Sequence, residues 1–364
     1  MENFVFLSGY ANLPLARRIA RLLKMDLVLE SKKGVPIIKC FPDSEMLATL
    51  PCDVTGKAVF VLQPISYYVR KGRLYSPNDA LMELCQIGSS AMESGADKVT
   101  AVIPFYGYAR QDRKDESKVP ITARLVADML TKAAGIKQVM LLDLHNGTIQ
   151  GFFSNMRADH LYAKPVFLSH YRNFFSKEEL KEIVVVYPDS GALKYYKDYS
   201  KRLKARSQVI DKDRISEDQV EPEIALEELS IIGKKVQDRI VLVHDDMIST
   251  GGTIIEVAQT VKFCGARKVY LSAIHPVFSG SSFERFMKAK KQGIIEKVFV
   301  SDSIDYLSRI PEDLKKDYEE TRLIESISVA NLLAEAVARV HKRFPLGPLF
   351  EEETRYFFAE KLHE

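Results

Sequence analysis

The chain lacks the common glycine-rich nucleotide loops. Neither GxxxxGK[ST] nor GxGxxG after a strand occurs in its 364 residues, so any ATP chemistry falls outside the P-loop, dinucleotide and protein-kinase designs. Cysteine is scarce. Cys40, Cys52, Cys85 and Cys264 are the four, without CxxC spacing and set in apolar segments, which fits reduced core residues rather than a disulfide framework. The seven histidines show no HxxxH or HExxH pattern, which excludes those zinc designs. No apolar run is long enough to span a bilayer, and no signal-peptide pattern opens the chain. The expected location is therefore cytoplasmic. A net charge of +3 is small for this length and argues against a nucleic-acid partner. No segment is of low complexity.

What is present is a soluble globular composition, 46% hydrophobic and 28% charged, in a length that suggests two domains. Short apolar runs at 4–7, 59–62, 99–103 and 139–142 read as strands, separated by helical patterns at 15–23, 78–92 and 121–133. A second series follows, with strands at 183–186, 208–210, 240–243, 269–273 and 298–300 and helices at 192–203 and 254–263. Such alternation predicts α/β architecture with parallel sheets covered on both faces. Gly95-Ala-Asp-Lys-Val-Thr100 and Gly265-Ala-Arg-Lys-Val-Tyr270 echo each other in matching contexts, each after a helix and before a strand. Duplication of one α/β domain accounts for this echo better than chance does.

The stretch Ile240-Val-Leu-Val-His-Asp-Asp-Met-Ile-Ser-Thr-Gly-Gly-Thr253 carries the most chemistry. A buried strand ends in two carboxylates, Asp245 and Asp246. Ser249, Thr250, Gly251, Gly252 and Thr253 then open a helix. Glycines bring backbone N–H groups close to a phosphate, the threonines add donors, and the helix N-terminus favours an anion. Carboxylates repel phosphate but suit sugar hydroxyls or a metal. Together they describe a ribose 5-phosphate site. An ordinary crossover with two solvated acids is the plain alternative, outweighed here by the density of functional groups.

Other segments are less decisive alone. Phe105-Tyr-Gly-Tyr-Ala-Arg-Gln-Asp-Arg113 follows a strand, where α/β ligands bind; Arg110 and Arg113 suit phosphates and Gln111 an adenine edge, or the segment is a solvated basic loop. His145, near Asp143 at a strand end, fits a hydrogen-bonded structural pair, or one ligand of a Mg²⁺ held mainly by phosphates and water. Asp189, in Tyr187-Pro-Asp-Ser-Gly191, fits a diphosphate and metal turn or a helix N-cap equally well. Lys212 and Arg214 open a long charged stretch, 211–235, and read as solvated surface or as cations closing over a transferring phosphoryl group.

Taken together, these segments resemble ribose-phosphate pyrophosphokinases over nearly the whole chain. Residues 102–114 resemble the family's ATP-side segment. Asp143-Leu-His-Asn-Gly-Thr-Ile-Gln-Gly-Phe-Phe153 is similar to its DLHxxQIQGFF signature, Pro188-Asp-Ser-Gly191 to its SPDxGG turn and His275-Pro-Val-Phe-Ser-Gly280 to its HPxFSG segment. Phe41-Pro-Asp-Ser-Glu45 looks like FSDGE. The resemblance implies two similar domains of type I phosphoribosyltransferase-like fold, 1–160 on the ATP side and 161–345 on the ribose 5-phosphate side, with an extension at 346–364. It implies transfer of the diphosphoryl group of ATP to the 1-hydroxyl of ribose 5-phosphate, with Mg²⁺, in a homo-oligomer built from dimers. Phe41, Asp43 and Glu45 would contact adenine from a neighbouring subunit, and Arg110, Gln111 and Arg113 would bind ATP. His145 and Asp189 would hold Mg²⁺, and Lys212 and Arg214 would act in catalysis. Asp245 and Asp246 would take the ribose hydroxyls, and residues 249–253 the 5-phosphate.

The chain departs from the family pattern in places. Ser249 stands where Asp is usual, Ser44 replaces a Gly, and Ala192 replaces the second glycine of the diphosphate turn. Two rivals stand beside this reading. A non-catalytic regulatory subunit would be expected to lose Lys212 and Arg214, which are retained. A phosphoribosyltransferase would need only the sugar-phosphate loop.

Overall fold

Aliphatic runs become the strands of two parallel sheets in a computed structural model that describes residues 4–210 and 232–351. Two compact units result. One comprises Met1–Ala163, Ser303–Arg309 and Val329–Glu364, the other Lys164–Asp302 and Ile310–Ser328.

In the first unit, β1 (Phe4–Ser8) is followed by a hairpin of β2 (Ile38–Cys40) and β3 (Met46–Ala48), then β4 (Ala58–Leu62). A second hairpin, β5 (Tyr68–Arg70) and β6 (Arg73–Tyr75), precedes β7 (Lys98–Ile103), β8 (Gln138–Leu142) and β9 (Arg157–Leu161). The main sheet runs β1-β4-β7-β8-β9, all parallel. Val59, Val61, Val99, Ala101 and Val139 are fully buried, so these strands read as unbroken apolar runs. Helix α1 (Leu13–Leu22) starts where the Asn12 side chain accepts from the Leu15 N–H. Helix α2 (Pro77–Glu93) opens with a capping box between Ser76 and Asp79 and packs Leu84 and Ile87 towards β4 and β7. The expected helix at 121–133 forms as α3 (Thr122–Asp128) followed by a π-helical turn at Met129–Ala133.

The second unit repeats the plan. Its sheet holds β10 (Ile183–Tyr187), β11 (Arg206–Val209), β12 (Ile240–Ile248), β13 (Lys268–Pro276), β14 (Lys297–Ser301) and β15 (Ile324–Ile327) in the order β11-β10-β12-β13-β14-β15, again all parallel. Apart from the edge strand β11, neighbours follow chain order, as in the first sheet. Helices α4 (Lys164–Phe174), α5 (Lys177–Glu182), α6 (Ser190–Leu203), α7 (Gly252–Phe263), α8 (Ser282–Lys291) and α9 (Glu312–Thr321) belong to it. The sequence echo is realised in the backbone. Gly95 and Gly265 both have positive φ, +84° and +89°, where a helix turns back into β7 or β13.

The division of the chain differs from the sequence expectation at its end. Helix α10 (Ala330–His341) falls in the first unit, packed on α1, whereas 161–345 was assigned to the second. Its Leu332, Leu333, Ala336 and Val337 need an apolar partner, and α1 supplies one. No helix among the described residues is long and apolar enough to cross a membrane.

Candidate active site

The second unit carries the acidic pair on a strand. β12 continues past Val243, and Asp245 pairs with Ala273 and Met247 with His275 of β13. Asp245 and Asp246 sit together near the carboxyl end of the strand, close enough for their side chains to interact. The Asp246 N–H donates to Asp245 Oδ1 at 2.8 Å. Burial, then Asp246, then Asp189 push the Asp245 carboxyl well above the usual carboxylate range. Such a group suits bonding to hydroxyls or exchanging a proton. Behind it, His244 is fully buried, its Nδ1 3.0 Å from Ser272 Oγ; burial holds the imidazole neutral, with its pKa pushed down to about 3.

The loop after β12 is braced by the HPVFSG segment, to which sequence reasoning gave no role. Phe278 N–H donates to Ile248 O at 2.9 Å and Ser279 N–H to Ser249 O at 3.0 Å. Ser249 Oγ meets Ser279 Oγ at 2.9 Å, so the hydroxyl that stands in place of the usual Asp is held by its neighbour. Gly251 is the N-cap of α7 with φ +77° and ψ 0°, a conformation that favours glycine. A Cβ there would lie 3.0 Å from two ring carbons of the buried Phe286 on α8. Thr250 and Thr253 are exposed at the mouth of the loop; the N-cap Gly251 has no capping side chain, and the Gly252 N–H makes only a long bond to Thr250 Oγ1, at 3.5 Å. First-turn N–H groups with weak or no intrahelical partners are what an anion seat at a helix N-terminus requires.

Asp189 is exposed and is the N-cap of α6, its Oδ1 accepting from Ala192 N–H at 2.7 Å. The capping interpretation is thus met by one oxygen, which leaves the carboxylate's second oxygen for a cation.

The first unit carries the arginine segment and the residue 41–45 turn. Arg110 and Gln111 are exposed, while Arg113 pairs with Asp115 at 2.6 Å. The segment is pinned by Tyr106, whose hydroxyl donates to Ala123 O at 2.8 Å, and by Asp112, which accepts from Asn146 Nδ2 at 2.6 Å. His145 is half-buried, next to Leu144, whose N–H donates to His160 Nε2 at 2.9 Å. Phe41 is half-buried beneath Lys39, whose Nζ is 5.0 Å from the ring centroid; Asp43 and Glu45 are exposed. No group of three or more His, Cys, Asp or Glu side chains arranged for a metal occurs among the described residues. His145 in the first unit and Asp189 in the second are each a chemically suitable single ligand for a Mg²⁺ that takes the rest of its shell from phosphates and water. Lys212 and Arg214 lie outside the described residues.

Two family profiles match the chain. One, described as the N-terminal domain of ribose phosphate pyrophosphokinase, matches residues 4–135, and the other, a phosphoribosyl synthetase-associated domain, residues 215–351. A ribose-phosphate pyrophosphokinase of Rhodopirellula baltica is 37% identical over 97% of this chain and 100% of its own length. The chain belongs to the ribose-phosphate pyrophosphokinase family. Ribose-phosphate pyrophosphokinase 1 of Streptococcus pneumoniae serotype 4 is 36% identical over 95% of this chain and 96% of its own. The crystal structure of phosphoribosylpyrophosphate synthetase from Mycobacterium smegmatis superposes with a TM-score of 0.74 at 26% identity, covering 94% of this chain and 100% of that one. The fold expected from the resemblance, two similar parallel α/β units, is the fold found.

Proposed function

We propose that the chain transfers the diphosphoryl group of ATP to the 1-hydroxyl of ribose 5-phosphate, giving 5-phosphoribosyl 1-diphosphate and AMP. The observation that carries this reading is the β12–α7 junction, where Asp245 and Asp246 precede a glycine-bearing loop at a helix N-terminus. The second unit binds the sugar phosphate. Loop N–H groups and the Thr250 and Thr253 hydroxyls hold the 5-phosphate, while Asp245 and Asp246 accept from the ribose hydroxyls. ATP is assigned to Arg110, Gln111 and Arg113, with Phe41 stacking on adenine and Asp43 and Glu45 accepting from its edge. In an oligomer built from dimers, that turn is offered to a neighbouring subunit.

The anomeric oxygen attacks the β-phosphorus, the bond to the α-phosphate oxygen breaks, and AMP leaves. Negative charge grows on the transferring and leaving oxygens. Arg110, with Lys212 and Arg214 on the charged stretch, stabilises it. His145 and Asp189 would each offer a ligand to Mg²⁺, which would supply Lewis-acid charge to the phosphates when bound.

The test is AMP release. It must require ATP and ribose 5-phosphate together, and it must fall when Asp245→Asn and Asp246→Asn are introduced without loss of fold. AMP release that ignores ribose 5-phosphate would sink the reading.

A further inference from the structure

The β5–β6 hairpin has no part in the chemistry described so far, yet it is unusually well anchored. The Tyr68 hydroxyl donates to the Glu83 carboxylate. Glu83 is fully buried and also accepts from the Tyr10 N–H at 3.1 Å and from Gln63 Nε2 at 2.7 Å. Tyr68 stacks on Tyr75 across the hairpin, ring centroids 4.8 Å apart and 6° from parallel. The Arg70 guanidinium lies 3.3 Å from the centroid of the Tyr10 ring. Moving the hairpin would leave a buried carboxylate short of donors, so its base is fixed.

From this base Arg73 reaches to the residue 41–45 turn. Its guanidinium donates to Ser44 Oγ at 2.8 Å. Among the described residues, the turn's other hydrogen bonds are internal. Phe41 N–H donates to Glu45 O at 2.8 Å, Ser44 N–H to Phe41 O at 3.0 Å, and Glu45 N–H to Asp43 Oδ1 at 3.0 Å. They set its shape, not its position. Beyond the turn, β3 is tied to α2 by Gln86, which accepts from Ala48 N–H and donates to Met46 O, each at 2.9 Å. Ser44 has φ +79°, where glycine fits without strain and serine does not. A serine kept against its backbone preference, with its hydroxyl bonded to a guanidinium, gives the turn an outside anchor.

We infer that Arg73 is a positioning residue for ATP: through Ser44 it holds the turn that carries Phe41, Asp43 and Glu45. The inference rests on the reading of that turn as the adenine-binding segment. Arg73 touches no substrate. It removes the turn's freedom before ATP arrives, so its loss shows as weaker ATP binding with chemistry unchanged.

The test is steady-state kinetics on Arg73→Ala, Arg73→Lys, Ser44→Ala, Ser44→Gly and Arg73→Ala/Ser44→Ala, with Phe41→Ala as control. Arg73→Ala should raise the KM for ATP about three- to tenfold, the scale of one charge-assisted hydrogen bond at a solvated site. Its kcat at saturating ATP and its KM for ribose 5-phosphate should stay within about twofold of the parent. Arg73→Lys should recover part of the loss. Ser44→Ala should match Arg73→Ala, and the double variant should be no worse than either single. Ser44→Gly should raise the melting temperature while weakening ATP, a pairing of signs that a merely structural contact would not give. An unchanged KM for ATP in Arg73→Ala beside a raised one in Phe41→Ala would overturn the inference alone. An unchanged value in both variants would overturn the adenine reading and this inference with it.

Discussion

Gly251→Ala separates the sugar-phosphate loop's function from its fold with a single methyl group. Two costs follow from the structure. An alanine at φ +77° occupies the left-handed region, at about 1–2 kcal/mol. Its Cβ would also lie 3.0 Å from the ring of Phe286, which is buried and cannot swing aside. Overpacking of this kind costs roughly 1–3 kcal/mol and shifts the backbone by a few tenths of an ångström. Stability should therefore fall by about 2–5 kcal/mol, which lowers Tm by roughly 4–20 °C. The shift lands on the loop proposed to seat the 5-phosphate, so kcat/KM for ribose 5-phosphate should fall about 10- to 100-fold at a temperature where the variant is folded. ATP affinity, read by titration, should barely change. Gly56→Ala is the control, since Gly56 has φ +65° and an added Cβ would meet nothing within 4 Å. It should show the conformational cost alone, with full activity. A folded Gly251→Ala enzyme with kcat/KM within twofold of the parent would refute the placement of the phosphate.

Asp245→Asn should separate stability from activity. The folded-state pKa of Asp245 is raised, so its ionised form costs stability at pH above that raised value, and the cost vanishes as pH falls below the ordinary 3.8. The Asn variant should thus melt higher than the parent near neutral pH, with the gap closing towards pH 3.8, while its activity at limiting ribose 5-phosphate drops; equal melting curves at every pH would contradict the burial argument. Phe41→Ala should raise the KM for ATP by roughly 5- to 100-fold, the scale of one base–aromatic stack, and leave ribose 5-phosphate binding alone. Lys212→Ala should cut kcat by about 100- to 1,000-fold with ATP binding preserved, and Arg214→Ala on top should cost less than its own single effect. Near-normal kcat in Lys212→Ala would remove the pair from catalysis and revive the regulatory-subunit reading.

The central strands were legible because parallel strands buried on both faces leave an apolar signature that alternation cannot blur. β4, β7, β8, β10 and β13 all appear where aliphatic runs occur. The edge strands β9 and β15 lack that signature, unlike the apolar edge strand β1. β9, Arg-Ala-Asp-His-Leu, and β15, Ile-Glu-Ser-Ile, are partly solvated and polar, and were not read from the sequence. β12 outran its expected end because acids are rare in strands, while β13 offers pairing partners as far as Pro276. At the site, the strand–loop–helix junction at 240–263 was readable from its aliphatic run and glycines. Asp189 was ambiguous because a carboxylate can cap a helix with one oxygen and still offer the other to a cation; the Ala192 contact shows the capping use. The bracing by Phe278 and Ser279 was hidden because it is made mainly by backbone groups, which carry no sequence signal of their own. The anchor of Ser44 was hidden for another reason, since Arg73 lies far from it in sequence.

The most direct measurement is the fate of the β-phosphorus of ATP, followed by ³¹P NMR in a reaction with ribose 5-phosphate. Attack on that atom predicts AMP and a diphosphate ester on C1 of the sugar, formed in equal amounts. ADP with a singly phosphorylated C1, or AMP with free diphosphate and unchanged ribose 5-phosphate, would contradict the account.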